Sequence, residues 1–415
     1  MTQRFTMDSG LQVVVEQMPC RSVSCGIWAR AGSAWEQSKL GGVSHFLEHM
    51  LFKGTANRNA QEIAAVMDAV GGMLNAFTGK EYTCYYTRSL DEHLDLSLDL
   101  LADLYLNPKL ADEDFQMEKN VIIEEINMYE DTPDDLVGDL FASTLWPNHP
   151  YGLPVVGTTE KIHYLSHAEL QTYYKQNYAP CNTVVAIAGN ITPEAAYKQV
   201  EHYFKDFNGT ATIPQSAKPS CAGGSVHIHK KIEQMHVCLG FPGVADEGED
   251  YYAAHIMNSI LGSGMSSRLF QEVREKRGLS YSAYSYLNSY AEGGYYCAYA
   301  STRPQNLDEL IKVMAGELTK AVEQGFSEKE LKMAQQQIKG NLLLGLENSG
   351  NVMNRLGKRL LTKNELHSTE EVLTKVMAVT PDELACVARR ILDPGKAVLA
   401  VVGSLDEPVD LQNVW

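Results

Sequence analysis

The chain has 415 residues, of which 44 % are hydrophobic and 21 % are charged, a globular composition long enough for two to four domains. Its formal net charge of −17 argues against nucleic acid as a partner, and no apolar stretch approaches the roughly 18 residues of a membrane span. The start, MTQRFTMDSG, has no apolar signal core, and the eight cysteines form no C-x-x-C pair, so we expect a cytoplasmic protein with reduced thiols.

The first half of the chain alternates predicted strands with predicted helices. Runs rich in valine, isoleucine and aromatic residues predict the strands, and apolar residues at helical spacing predict the helices. Strands are expected at residues 11–16, 22–31, 73–78, 82–88 and 183–188. Helices are expected at residues 40–54, 60–69, 93–106, 112–129, 133–145, 169–176 and 192–207.

A similar order of elements begins again after residues 208–225, which are rich in Gly, Ser, Thr, Ala and Pro and predict a linker. Strands are expected at 235–241, 281–286, 294–300 and 397–402, and helices at 251–261, 268–275, 307–323 and 328–344. This repeat predicts an α+β fold of two homologous domains, each an antiparallel sheet packed with helices. We place the domains at 1–210 and 225–415, joined by a linker at 211–224.

The most informative stretch is LGGVSHFLEHMLFKG, an apolar run that contains His45, Glu48 and His49 as H-x-x-E-H. Residues four apart share one face of a helix, so the two imidazoles would point the same way. Two such imidazoles can bind Zn²⁺, and the carboxylate of Glu48 beside them can accept a proton from water. The alternative is a pair of core histidines, but buried imidazoles and a carboxylate are costly without a partner.

The second copy cannot repeat this chemistry. When Ile260-Leu261 is aligned with Leu51-Phe52, the positions of His45, Glu48 and His49 are taken by Ala254, Met257 and Asn258, in that order. The sequence therefore predicts one zinc ion per chain, bound by the first copy.

A catalytic zinc ion usually takes three protein ligands, so one further ligand is expected. The predicted helix with the sequence EKNVIIEEINM offers Glu118, Glu124 and Glu125. Glu118 and Glu125 are seven residues apart and share a face, whereas Glu124 is rotated by about 100°. A helical glutamate is more often a solvated side chain, which is the alternative for all three.

These motifs resemble those of the M16 metallopeptidases, the family of pitrilysin, insulin-degrading enzyme and the mitochondrial processing peptidase. The H-F-L-E-H run is followed 76 residues later by Glu125, and N-A-F-T, E-K-N-V-I-I-E-E and G-M-S-S-R-L-F also match. The resemblance, which extends over nearly the whole chain, implies that His45, His49 and Glu125 bind zinc. It also implies that Glu48 is the general base and that Glu118 supports a ligand histidine.

The resemblance also implies substrate-binding residues. Asn75, Ala76 and Phe77 match a strand whose free edge pairs with the peptide backbone. Arg274 and Tyr281, in V-R-E-K-R-G-L-S-Y, match residues that contact substrate carbonyls and the developing oxyanion. Without the resemblance, the first three are an ordinary strand, Arg274 is a surface charge and Tyr281 is a strand aromatic.

Asp135 and Asp139 match acids of the processing peptidases that bind an arginine before the cleavage site, and a solvated acidic face is the alternative. The function expected is a zinc endopeptidase that hydrolyses unfolded peptides or presequence-like segments inside a homodimeric chamber, in the bacterial cytoplasm. One alternative is a non-catalytic partner or scaffold subunit of a processing peptidase pair. Another is an enzyme that is specialised for one precursor peptide.

Overall fold

The computed structural model describes residues 2–211, 217–246, 248–405, 407, 409, 411 and 414–415. The strands in these residues are β1 (Thr2–Thr6), β2 (Gln12–Gln17), β3 (Ser22–Ala29), β4 (Met73–Thr78), β5 (Thr83–Leu90), β6 (Thr183–Gly189), β7 (Gly224–His229), β8 (Met235–Pro242), β9 (Ala283–Ser289), β10 (Gly294–Thr302) and β11 (Val398–Gly403).

The helices of the described residues mostly agree with the predicted ranges. They are α1 (Val43–Leu51), α2 (Ala60–Asp68), α3 (Leu94–Leu106), α4 (Asp112–Asp131), α5 (Pro133–Leu145), α6 (Thr159–Tyr164), α7 (His167–Asn177), α8 (Pro193–Phe204), α9 (Tyr251–Gly262), α10 (Leu307–Glu323), α11 (Glu328–Gly345), α12 (Ser349–Lys363), α13 (Thr369–Ala378) and α14 (Pro381–Ile391). The predicted helix at 268–275 is a π-helix over Phe270–Glu275. None of these helices combines the length and the apolar composition that a bilayer crossing requires.

The chain forms two compact units, and each contains one sheet. The first unit comprises Met1–Ile126, Pro154–Gln215 and Leu343–Leu366, and the second comprises Asn127–Leu153, Ser216–Leu342 and His367–Trp415. The first sheet has the order β1-β2-β6-β3-β5-β4 and the second has the order β7-β11-β8-β10-β9. The predicted α+β class with two sheets is therefore confirmed.

Both sheets share one topology. Without β1, the five strands of the first sheet follow the chain order 1-5-2-4-3, and the five strands of the second follow the same order. Strands 1 and 5 of each set are parallel (β2 with β6, and β7 with β11), while the other pairs are antiparallel. Each sheet is thus mixed rather than wholly antiparallel as predicted, since its first and last strands run side by side in the same direction.

The central strands of the first sheet are buried on both faces. Val13 and Val15 of β2 face a core that includes residues of α1, α3, α4 and α8. Val14, between them, faces a second core that contains Leu356 and Leu360 of α12. Successive strand residues point to opposite faces, so a sheet covered on both sides needs continuous apolar runs, and those runs are the signal that predicted its central strands.

Each unit includes one helix from the other half of the sequence. α5 precedes residue 210 but packs on β8 and β11 of the second sheet, and α12 follows residue 225 but packs on β3 and β6 of the first. The compact units are therefore not contiguous segments of the chain, since each contains a helix from the other half. The sequence does not predict this exchange, because an amphipathic helix does not specify which sheet it covers. The homologous domains at 1–210 and 225–415 stay a prediction.

The predicted linker and two outermost strands differ from the prediction. Of the predicted linker at 211–224, residues 212–216 lie outside the described residues, residues 217–223 have no helix or strand, and Gly224 already begins β7. β1 and β7 were not predicted. Both are outermost strands that alternate polar residues with few apolar ones, because one edge and part of each face are exposed.

Candidate metal centre

Helix α1, which contains the H-x-x-E-H motif, begins at a bend that is stabilised by a carboxylate from the preceding loop. Gly42, its N-cap, has a φ of 97°, a left-handed conformation that glycine adopts without strain. The carboxylate of Glu36 accepts hydrogen bonds from the backbone N–H groups of Gly42 at 2.7 Å and Ser44 at 2.8 Å. Glu36 therefore satisfies N–H groups that α1 cannot satisfy itself, and it fixes where the helix starts.

Three predicted ligands converge in the first unit. The rings of His45 and His49 lie on one face of α1 with their centroids 4.6 Å apart. Glu125 of α4 approaches both: its Oε1 lies 3.6 Å from Nε2 of His45 and its Oε2 lies 3.4 Å from Nε2 of His49. Glu124, the alternative on the same helix, is exposed.

This cluster fits a zinc ion. Ligand atoms at 2.0–2.2 Å from zinc in a tetrahedral arrangement are roughly 3.3–3.6 Å apart. The two nitrogen–oxygen distances at Glu125 lie within that range, and one donor atom from each of the three residues lies within 4.8 Å of the others. In the described part of the chain, no other group of His, Cys, Asp or Glu side chains meets this condition. Two imidazoles and one carboxylate are ligands typical of catalytic zinc sites.

Glu118 is hydrogen-bonded to one of the three clustered side chains. Its side chain is 3 % exposed, and its Oε1 accepts a hydrogen bond of 2.8 Å from Nδ1 of His49. Its Oε2 lies 2.5 Å from Nζ of Lys53, one turn beyond His49. A carboxylate on Nδ1 fixes the tautomer that leaves Nε2 of His49 free for a metal.

The electrostatics of the cluster favour a cation. Burial, and then the neighbouring His49, hold the pKa of His45 below its ordinary value, so this imidazole is neutral with a lone pair available. Burial opposes the charged form of His49, but hydrogen bonds to Glu118 and Glu125 outweigh it and raise its pKa to about 9. The pKa of Glu125 is lowered, first by its hydrogen bond to His49. The carboxylate of Glu125 thus stays ionised beside the two Nε2 atoms.

Glu48 lies beside the ligands without belonging to them. Its Oε2 accepts a hydrogen bond of 2.5 Å from Oγ1 of Thr78, the last residue of β4. Burial raises the pKa of Glu48, while Thr78 and His49 lower it, and the net shift is upward. A carboxylate with a raised pKa next to a metal cluster is suited to accept a proton.

The predicted substrate strand is an edge strand. Asn75, Ala76 and Phe77 belong to β4, which pairs with β5 on one side and ends the sheet order on the other. The backbone N–H of Ala76 donates a hydrogen bond of 2.8 Å to Oδ1 of its own neighbour, Asn75. The Asn75 side chain thus occupies a backbone donor of the kind that an added strand would use.

The remaining predicted residues lie in the second unit. Arg274 stacks on the ring of Tyr281, with the guanidinium carbon 4.3 Å from the ring centroid, and donates a hydrogen bond of 3.2 Å to the Tyr281 carbonyl. Asp135 and Asp139 are exposed on α5. The structure therefore brings together His45, Glu48, His49, Glu118 and Glu125, and it pairs Arg274 with Tyr281.

The second unit has no ligands at the corresponding helix. Ala254 and Met257 of α9 are fully buried, and Oδ1 of Asn258 accepts a hydrogen bond of 2.7 Å from Ser285. The sequence did not predict the contacts that three further residues of the first unit make at the site: Thr78, Glu36 and Lys53. Only Lys53 had a local signal, its position four residues after His49; the other two contact the site through the fold.

Two family models match consecutive parts of the chain. Residues 12–159 match the model described as insulinase (peptidase family M16), and residues 164–338 match the model described as peptidase M16 inactive domain. The uncharacterized zinc protease SCO5738 of Streptomyces coelicolor is 42 % identical, with 98 % of this chain and 90 % of that protein covered. The uncharacterized zinc protease YmxG of Bacillus subtilis is 38 % identical, with 98 % and 100 % covered.

Solved structures share the fold. A protease from Helicobacter pylori has a TM-score of 0.93 at 23 % identity, with 97 % of this chain and 99 % of that chain covered. A peptidase M16 inactive domain from Pseudomonas fluorescens has a TM-score of 0.91 at 22 % identity, with 98 % of both chains covered. The family matches and the full-length relatives, together with the two histidines and the glutamate that converge in the first unit, identify the chain as a member of peptidase family M16.

Proposed function

We propose that this chain is a zinc-dependent endopeptidase that hydrolyses unfolded peptides or presequence-like segments. The observation that carries the proposal is the placement of Glu48. This carboxylate adjoins the ligands His45, His49 and Glu125, but it binds Thr78 instead of either histidine. A purely structural metal site would not need a further acid beside a three-ligand set.

Each of the clustered side chains has a role in this reaction. Zinc, when bound by His45, His49 and Glu125, supplies a Lewis acid that lowers the pKa of a bound water to about 7. Glu48 accepts the proton of the attacking water and returns it to the amine that leaves. Such general acid–base catalysis contributes roughly 10²–10⁴-fold. Glu118 holds the imidazole of His49 in the required tautomer.

The free edge of β4 is the proposed binding surface for the peptide. An extended peptide added to this edge would form backbone hydrogen bonds with Asn75, Ala76 and Phe77, which requires extended conformation but little sequence specificity. The Asn75 side chain now bonded to the Ala76 N–H would rotate away as a peptide carbonyl takes its place. This mode of binding selects unfolded segments, because a folded protein rarely offers a free strand.

We further propose a homodimer in which one chain completes the site of the other. Among the described residues, each chain has one complete ligand set, in the first unit, and no such set in the second. Tyr281 is 79 % exposed, with Arg274 stacked on its ring, so this pair is accessible to a peptide held elsewhere. A twofold axis would give two equivalent composite sites enclosed in a chamber. We place the enzyme in the bacterial cytoplasm because its eight cysteines are free thiols.

Mapping of cleavage products in a mixed peptide pool, by mass spectrometry with and without a chelator, tests the proposal. A zinc endopeptidase predicts internal cuts that disappear with the chelator and return with added zinc. A catalytically inactive partner or scaffold subunit predicts the same products in both samples as in a blank. Cuts in a single peptide of a diverse pool would instead indicate a processing enzyme specialised for one precursor.

A further inference from the structure

Thr78 forms the closest polar contact of Glu48. Its hydroxyl oxygen lies 2.5 Å from Oε2 of Glu48, and both side chains are half-buried. A carboxylate that serves as a base is ionised and can only accept, so the hydroxyl of Thr78 donates. Hydrogen bonds from hydroxyl groups to charged carboxylates are short and strong, and they restrict the orientation of the acceptor.

The neighbouring strand leaves the hydrogen atom of Thr78 available for this bond. Thr83 lies opposite Thr78 in the register of β4 and β5, and the two hydroxyl oxygens are 3.2 Å apart. Thr83 is fully buried and donates its own hydrogen to the carbonyl of Ala31 at 2.7 Å. Thr83 can therefore only accept from Thr78, and the shorter, charge-assisted contact takes the single hydrogen of Thr78.

Thr78 also belongs to the strand proposed to bind substrate. It directly follows Asn75, Ala76 and Phe77 in β4, and the edge of this strand is free of sheet partners within the described residues. One rigid strand would thus both align the peptide and fix the base. A shift of about 1 Å between reacting groups can cost roughly 10²-fold in rate, so such a link has consequences for turnover.

From this arrangement we infer that Thr78 is a positioning residue that sets the carboxylate of Glu48 relative to a peptide bound along β4. The inference rests on the proposed function and extends it to a residue that touches neither the metal ligands nor the substrate backbone. It requires the hydroxyl group, and the stiff side-chain torsion of a β-branched residue adds a smaller contribution.

Two substitutions separate these requirements from a general effect on folding. Thr78→Val keeps the shape, the β-branching and the strand propensity but removes the hydroxyl. Thr78→Ser keeps the hydroxyl with a freer torsion. Thr87→Val is the matched control, because Thr87 is a fully buried threonine of β5 whose hydroxyl has no hydrogen-bond partner among the described residues.

The experiment measures kcat and KM separately on a quenched peptide, zinc affinity by chelator competition, and the thermal midpoint. Thr78→Val should lower kcat by about 10–100-fold with KM, zinc affinity and thermal midpoint unchanged. Thr78→Ser should restore most of kcat, and Thr87→Val should match the wild type. A crystal structure of metal-free Thr78→Val should show the Glu48 carboxylate displaced from the position it has in the wild type.

Three results would overturn the inference: wild-type kcat in Thr78→Val, a parallel loss of kcat and thermal midpoint, or a Thr78→Ser variant as impaired as Thr78→Val. Failure of the proposed function is a separate outcome, seen as no zinc-dependent turnover in the wild type itself. In that case the crystal structure still decides, because an unmoved Glu48 in metal-free Thr78→Val would refute positioning.

Discussion

The Nδ1–H group of His49 donates a hydrogen bond of 2.8 Å to Oε1 of Glu118, a carboxylate buried in the first unit. Lys53 neutralises the other oxygen of Glu118 at 2.5 Å. The hydrogen bonds to His49 and Lys53 outweigh the effect of burial and lower the pKa of Glu118, so it stays ionised. Glu118 therefore holds Nδ1 of His49, so that Nε2 is the nitrogen that a metal would bind once it displaces the proton there.

Glu118→Gln should weaken zinc binding. The amide removes the charge that stabilises His49 and leaves Lys53 without its partner, and loss of such a supporting group typically costs 10–100-fold in metal affinity. Chelator competition measures this value. Glu124→Gln, on the exposed face of the same helix, is the control and should bind zinc as the wild type does. An unchanged affinity in Glu118→Gln would show that His49 does not depend on this carboxylate.

Glu36 should make stability depend on pH. Burial raises its pKa from 4.5 to about 7. Hydrogen bonds from Ser44 and Gly42, and the charge of Lys161, lower the pKa but do not outweigh burial. The other titratable neighbour is Tyr173, whose hydroxyl contacts that of Ser44. A raised carboxylate pKa means stability that is fully present below pH 4.5 and is lost as the pH rises to about 7, by about 3 kcal/mol.

Thermal midpoints of metal-free wild type and Glu36→Gln between pH 5 and 8 test this prediction. The glutamine cannot ionise, so the stability of the wild type relative to this variant should be greatest at pH 5. Its advantage should shrink towards pH 7 and then stay constant. An advantage that instead grows with pH would mean that the pKa of Glu36 is lowered in the folded protein.

Asp135 and Asp139 should favour an arginine two residues before the scissile bond. They lie four residues apart on α5, both exposed, and burial together with Asp134 raises the pKa of Asp135, so a cation beside it would be stabilising. The double variant Asp135→Asn, Asp139→Asn should lose the arginine preference in a mapped peptide pool. Asp308→Asn with Glu309→Gln removes equal charge from α10 and should keep the preference. An unchanged arginine preference in the Asp135→Asn, Asp139→Asn variant would show that these two acids do not bind substrate and only form a solvated acidic face.

Mixing of two inactive variants should restore activity if the sites are completed between chains. Glu48→Gln lacks the base and Tyr281→Phe lacks the phenol, but a mixed dimer has one site with both groups intact. Random exchange of equal amounts makes half of the dimers mixed, so about a quarter of wild-type activity is expected. No recovery despite verified exchange would place Glu48 and Tyr281 at the same chain's site.

The metal cluster could be predicted from the sequence because its signals are local. His45 and His49 are one helical turn apart, and the seven-residue spacing of Glu118 and Glu125 places them on one face of α4. The hydrogen bond from Thr78 could not be predicted. It depends on the packing of β4 against α1, and a threonine in a strand otherwise indicates only strand propensity.

The sequence also could not predict that α5 packs on the second sheet and α12 on the first. Each helix has an apolar face of ordinary helical spacing, and either sheet could have buried it. The central strands were predicted because burial on both faces requires continuous apolar runs, as in β6. β1 and β7 lack such runs because they are outermost strands.

The most direct test of the account measures zinc content and peptide turnover on the same preparations of the wild type, Glu48→Gln, Glu125→Ala and Glu124→Ala. The account predicts about one zinc per chain and turnover in the wild type and Glu124→Ala. Glu48→Gln should keep its zinc and lose turnover, because it removes the base but no ligand, whereas Glu125→Ala should lose both. Wild-type turnover in Glu48→Gln would contradict the account, and so would loss of zinc from Glu124→Ala with retention in Glu125→Ala.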